Sequence, residues 1–173
     1  MEINELAEGK YYILLICEGT AEEDIMNHLL DNNLLIFSRS VLIDYQVSRI
    51  RSAESIQEKY LNLNYEKPVA IIRVLDSKHE KFKLGKAYQR FKSSVINVIT
   101  SPEIEILLII YKGDYDHFSN SRKSTIKPSQ YCSEKYRIKK IKSKGILLGA
   151  FNGSTNLLQA IKRYKQLTND QHY

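Results

Sequence analysis

Two carboxylates, Glu18 and Asp76, follow directly on runs of apolar residues, Tyr11 to Cys17 in one case and Val69 to Leu75 in the other. Both runs are too continuously apolar for half-exposed strands and read as strands of a parallel sheet covered on both faces. Ligand sites in open parallel sheets lie at the carboxyl ends of strands, so the two acids reach the same edge. That arrangement suits a divalent cation. Taken alone, Glu18 reads equally as a surface carboxylate beside a helix. His79, three positions after Asp76, is a candidate general base or metal ligand, or an incidental surface histidine. His28, His117 and His172 show no H-E-x-x-H spacing, and neither G-x-x-x-x-G-K-[ST] nor G-x-S-x-G occurs. Cys17, inside an apolar run, reads as packing rather than as a nucleophile.

Alternating strands and helices must hold these residues. Gly19 supplies a tight turn, and Thr20 with Glu23 reads as a capping box for a helix carrying Ile25, Leu29 and Leu30 on one face. Asp31-Asn32-Asn33 ends it. Val41 to Val47 is β-branched and aromatic and reads as a second strand. Ser52 caps a helix from Ala53 to about Leu63, with Ile56, Tyr60 and Leu63 at core spacing. Pro68 opens the third strand. After Asp76 a helix carries Phe82, Leu84, Ala87, Tyr88 and Phe91, and Val95 to Ile99 is a short fourth strand. Ser101-Pro102-Glu103-Ile104-Glu105 has the cap, proline and acidic first turn of a helix start, so the apolar Ile106 to Tyr111 reads as a buried helix. Gly113 to Lys127 is polar and loop-rich, Ser129 to Tyr136 reads as a short helix, and Ser154 or Thr155 caps a last helix from Asn156 to about Leu167. The end, Thr168 to Tyr173, is expected to fray.

A chain of 173 residues with 43% apolar and 27% charged content fits one well-buried core. No apolar run is long enough to cross a membrane. The acidic start, Met1 to Glu5, lacks the regions of a secretory leader. Two separated cysteines, Cys17 and Cys132, give neither a disulfide framework nor a C-x-x-C motif, which predicts a cytoplasmic chain with reduced thiols. The net charge of +6 is concentrated between Tyr111 and Gly145, where ten Lys or Arg face only Asp114, Asp116 and Glu134. Interleaved with Tyr115, Phe118, Tyr131 and Tyr136, that stretch suits a phosphate backbone with some stacking, or a solvated basic face without a partner. Lys112, Arg122, Lys123 and Lys127 are its candidate backbone contacts, which position a nucleic acid without reading its sequence.

The order strand with Glu, helix, strand, helix, strand with Asp, helix, strand resembles the Toprim domain of topoisomerases, primases, small RNA maturases and the overcoming-lysogenization-defect nucleases. The chain looks like the RloB-like branch of small Toprim-type proteins found near restriction and phage-defence genes. Ile16-Cys17-Glu18-Gly19-Thr20-Ala21-Glu22 is similar to that family's Cys-Glu-Gly motif with its second Glu. Ser101-Pro102-Glu103-Ile104-Glu105-Ile106-Leu107 is similar to the branch's Asn-Pro-x-Phe-Glu-Leu segment, and Asn152 to Leu158 to its Ser-Thr-Asn helix start.

The resemblance implies an α/β Toprim (Rossmann-like) core over residues 1–111, a four-stranded mainly parallel sheet with helices on both faces, and a basic α-rich extension over 112–173. It implies Glu18 as a catalytic or metal-associated carboxylate and Asp76 as the first member of an acidic metal pair. Lys78 stands where the second member belongs. Glu80 is a substitute ligand, and Lys78 is a point charge for the scissile phosphate. Glu105 matches the acidic residue of the branch's helix start and Glu22 the second Glu of the first motif, although first-turn carboxylates also serve the helix dipole alone. The implied chemistry is phosphodiester cleavage of DNA or RNA with Mg²⁺ or Mn²⁺ on Glu18, Asp76 and either Glu105 or Glu80. A protein partner in a defence system goes with it. The alternative is a Toprim-fold binding module or regulatory subunit that has lost catalysis, the reading Lys78 favours.

Overall fold

The computed structural model describes residues 3–76, 82–90, 94–121 and 126–169. The chain divides into two compact units, Met1–Ile99 and Thr100–Tyr173. The expected boundary after Tyr111 falls inside the second.

The first unit is α/β. Strands β1 (Tyr12–Cys17), β2 (Val69–Leu75) and β3 (Ser94–Ile99) form one sheet in the order β1-β2-β3, both pairs parallel. The register Ile13–Ala70 and Ile71–Val95 sets the sheet's two faces. One carries Ile13, Leu15, Cys17, Ala70, Ile72 and Val74 beneath helices α1 (Ile3–Ala7) and α2 (Thr20–Asp31), which contribute Leu6 and Leu30. The opposite face carries Leu14, Ile16, Val69 and Ile71 beneath α3 (Ala53–Ile56), its π-helical continuation Gln57–Leu61, and the segment leading into α4 (Lys86–Arg90). This double cover is why β2 is buried at every position and why both apolar runs lack alternation.

Among the described residues the sheet has three strands, not four. Val41 to Val47 lies along the outer edge of β1 but is joined to it by isolated bridges, Ile13–Leu42 and, just beyond the segment, Ile16–Ser48, rather than by a ladder. Between them the chain turns outward, because Asp44 and Tyr45 both have left-handed φ (58° and 56°), which no ladder accommodates. Its apolar residues still reach the core, since Leu42, Ile43 and Val47 are buried while Tyr45 is 68% exposed.

The helix after Ser52 keeps its expected cap, with the Ser52 hydroxyl accepting the Ser55 N–H at 3.1 Å. Its second half widens: the Asn62 N–H reaches back five residues to the Gln57 carbonyl at 3.1 Å. The helix ends at Leu61, and Leu63, expected in the core, is 57% exposed.

The second unit is all-helical among the described residues: α5 (Ile106–Tyr111), α6 (Tyr115–Ser121), α7 (Pro128–Lys135), α8 (Ile146–Gly149) and α9 (Ser154–Asn169). The run Ile106 to Ile110 is a helix buried on every side, packed against α6, α7 and α9. It starts later than the Ser-Pro signal predicts. Residues 101–105 instead form tight turns, with the Ile106 and Leu107 N–H groups bonded to the Glu103 and Ile104 carbonyls at 3.1 Å. The polar stretch expected to be loop-rich contains α6, α8 is an unanticipated turn of helix, and α9 runs on to Asn169.

Glu103 explains the late start. It is 4% exposed, its Oε2 accepts the Ser129 N–H at 3.0 Å, and its Oε1 takes Lys142 Nζ at 2.7 Å. Lys127, the residue before α7, caps nothing with its side chain, so the Glu103 carboxylate, from the turns before α5, fills the role. Burial pushes the Glu103 carboxyl up, but the hydrogen bonds from Lys142 and Ser129 outweigh it and hold the group below its ordinary 4.5. A depressed carboxylate stabilises the fold above its unfolded pKa and loses that contribution as pH falls. Glu103→Gln is therefore expected to cost about 1–2 kcal/mol at neutral pH, the scale of a lost cap, with the deficit shrinking below pH 4.5. Thermal unfolding of both proteins across pH checks it.

Among the described residues no helix is long and apolar enough to cross a membrane.

Candidate functional site: a carboxylate pair at the sheet edge

β1 and β2 are neighbours and parallel, with Cys17 opposite Val74, so their carboxyl ends emerge side by side. Glu18 follows β1 directly and Asp76 follows β2. Glu18 Oε2 accepts the Asp76 backbone N–H at 2.8 Å, and the Asp76 carboxyl is close enough to raise the pKa of Glu18. The two acids singled out from sequence therefore meet.

The Glu18 side chain is only 10% exposed. Burial raises its pKa above the ordinary 4.5, and the Asp76 carboxyl adds to the rise. The Asp76 N–H and Arg51 pull the other way without cancelling it. A carboxyl held above its ordinary pKa favours a proton or added positive charge.

Arg51, which the sequence reading passed over, completes the group. Its Nη2 donates to Glu18 Oε1, while its own side chain is 52% exposed. The segment carrying it is fixed to β1, because the Ser48 N–H bonds the Leu15 carbonyl at 2.7 Å and the Cys17 N–H bonds the Ser48 carbonyl at 3.0 Å. From that strap Arg49 reaches the first turn of α2, donating to Thr20 Oγ1 at 3.2 Å and Glu23 Oε2 at 3.0 Å. The available signal was the pattern Ser48-Arg49-Ile50-Arg51-Ser52, two arginines at strand spacing between a strand and a helix cap.

Thr20 and Glu23, engaged by Arg49, do not form the expected capping box. The helix start lies one residue earlier, with Gly19 at the cap position and Glu22 three residues on. Glu22 is 7% exposed, and its carboxylate lies against Gly19, where a Cβ would collide with it. That placement sets the Glu22 carboxylate beside the start of α2, where negative charge suits the helix dipole. Cys17 is fully buried, and burial, aided by Glu22 and Glu23, pushes its thiol far above the range of a reactive cysteine.

Glu105 belongs to the second unit, where it is 1% exposed and its carbonyl receives Cys132 Sγ at 3.9 Å. Burial, with Glu105 and Glu103 next in effect, pushes the Cys132 thiol up to about 12. Lys112 is exposed, its Nζ 5.3 Å from the Tyr111 ring centre, and Lys127 is exposed at the entry to α7. Lys78, His79, Glu80, Arg122 and Lys123 lie outside the described residues.

The aromatic residues of the basic stretch are not free stacking platforms. Tyr131 is 4% exposed and packs edge-on against Phe118 and Tyr136, with ring centres 5.2 and 6.0 Å away. The Tyr136 hydroxyl donates to Asp114 Oδ2 at 2.8 Å, and Lys135 reaches Asp114 Oδ1 at 3.1 Å. Lys135 and Lys142 are thus structural ties, whereas Arg137, Lys139, Lys140 and Lys144 are exposed along one loop.

Among the described residues no group of three or more His, Cys, Asp or Glu side chains is placed to hold a metal ion. A cavity of about 560 Å³ lies elsewhere in the first unit, lined by Tyr65, Lys67, Pro68 and Tyr88 at the amino-terminal end of β2. Comparison with family models, curated proteins and solved structures found no match.

Proposed function

We propose that the chain is a Toprim-type, divalent-metal-dependent nuclease of the RloB-like branch. The observation that carries this reading is the meeting of Glu18 and Asp76 at the carboxyl edge of a parallel sheet, with Glu18 held above its usual pKa by burial and by its neighbour. Two close carboxylates suit Mg²⁺ or Mn²⁺, since Mg²⁺ is commonly held by one or two carboxylates with water and substrate phosphate completing the shell. Glu18 and Asp76 would hold the ion, which supplies charge neutralisation at the phosphate and an activated water. Arg51 offers the phosphodiester a planar donor pair. The exposed loop cations Arg137, Lys139, Lys140 and Lys144, with Lys112 and Lys127, supply the salt-sensitive attraction for a nucleic-acid backbone. A role as a defence effector acting with a partner protein, in the cytoplasm, completes the proposal.

One observation favours the second reading, a binding or regulatory module without catalysis: Arg51 already neutralises Glu18. Incubating the protein with labelled single-stranded DNA, double-stranded DNA and transfer RNA, in Mg²⁺, Mn²⁺ or chelator, separates the two. Metal-dependent cutting is expected. Salt-sensitive binding with no cutting in any metal would favour the module.

A further inference from the structure

We propose that Arg51 is a phosphate-responsive guard on Glu18: its guanidinium occupies Glu18 Oε1 in the free chain, and an incoming phosphodiester draws it away, opening that oxygen to a divalent cation. The inference rests on the nuclease reading of the site.

Glu18 has two carboxylate oxygens, and the Asp76 N–H engages Oε2. The other, Oε1, carries Arg51. A guanidinium on Oε1 repels a divalent cation drawn to the same oxygen, so the two compete for it. The anchoring of Arg51 lies in its backbone and its side chain reaches solvent. Its backbone is held upstream by the Ser48 strap and downstream by the Ser52 cap of α3, whereas the side chain is half in solvent. Arg49, on the same segment, points to α2 instead, donating to Thr20 and Glu23.

A guanidinium fork binds phosphate as readily as carboxylate, in the same planar two-bond geometry. A nucleic-acid strand at the sheet edge therefore offers Arg51 an alternative anion at little cost. Phosphate and cation then bind cooperatively, and by linkage each tightens the other by the same factor. Such a guard keeps the site from loading metal in the absence of substrate.

The test is Mn²⁺ binding to the full chain, followed by the paramagnetic resonance signal of free Mn²⁺, with and without hexadeoxythymidylate, whose own Mn²⁺ uptake is subtracted. Arg51→Gln is expected to bind Mn²⁺ at least about fivefold more tightly than wild type without the oligonucleotide, the lower end of typical coupling. Hexadeoxythymidylate is expected to tighten Mn²⁺ binding by a similar factor in wild type and to have no such effect in Arg51→Gln. Arg49→Gln removes the same charge from the same edge and should keep the oligonucleotide effect. The guard is overturned if Arg51→Gln behaves like Arg49→Gln, or if the oligonucleotide tightens Mn²⁺ equally with and without Arg51. Glu18→Gln and Asp76→Asn separate the two levels. If both abolish Mn²⁺ binding while Arg51→Gln changes nothing, only the guard fails. If neither weakens it, or if no form of the protein binds Mn²⁺, the site and the guard fall together.

Discussion

Arg73→Ala is expected to destabilise the first unit by about 3 kcal/mol, within the range for truncating a large, fully packed side chain. Arg73 lies in the central strand β2 and is 1% exposed, among the largest fully buried side chains of the chain. An isolated charge there would be prohibitive. Its surroundings compensate: the guanidinium lies 4.1 Å from the Phe82 ring centre, and Nη1 donates to Asn97 Oδ1 at 3.3 Å on the adjoining strand. Truncation removes the packing and the cation–π contact, worth about 2 kcal/mol when desolvated. Methionine fills much of the same volume without a buried charge, so Arg73→Met is expected to stay within about 1.5 kcal/mol of wild type. Urea unfolding, with hydrogen exchange of the β2 amides to localise the loss, reads both variants. Equal damage by Met and Ala would show that the charge, not the volume, holds the strand.

Glu18→Gln is expected to lower strand cleavage by about 10³-fold, or about 4 kcal/mol of transition-state stabilisation, while making the fold more stable at neutral pH. The two effects share a cause. Folding raises the Glu18 pKa above 4.5, chiefly through burial, so the folded chain favours the protonated acid. A raised carboxyl contributes stability that is fully present below its unfolded value and is lost as pH rises through its folded value. Glutamine carries no such penalty. The stability difference between Glu18→Gln and wild type should therefore move in the variant's favour as pH climbs from below 4.5 toward neutrality. Chemical denaturation at a series of pH values follows it. A difference that is flat with pH would mean that Glu18 is solvated like any surface carboxylate.

Strands β1 and β2 and the meeting of Glu18 with Asp76 were legible because both depend on local apolar runs and on one rule about parallel strands. What failed depended on events the local pattern does not carry. Val41 to Val47 has strand composition, but left-handed turns at Asp44 and Tyr45 move it off the ladder. Thr20 and Glu23 have capping spacing, but Arg49, from a distant segment, takes both side chains, and the helix starts at Gly19 instead. Ser101-Pro102-Glu103 looks like a helix start, yet Glu103 spends its carboxylate on Ser129 and Lys142, residues far along the chain. Arg51 was overlooked for the same reason. Its partner lies 33 positions away, and only the fold brings them together.

The most direct test of the nuclease reading is single-turnover cleavage of the substrate identified in the panel above, in Mn²⁺, by wild type, Glu18→Gln and Asp76→Asn, each shown folded by its unfolding curve. The expected result is metal-dependent cutting by wild type, lost by about 10³-fold in both variants. Undiminished cutting by either folded variant would contradict the assignment of catalysis to the Glu18–Asp76 pair.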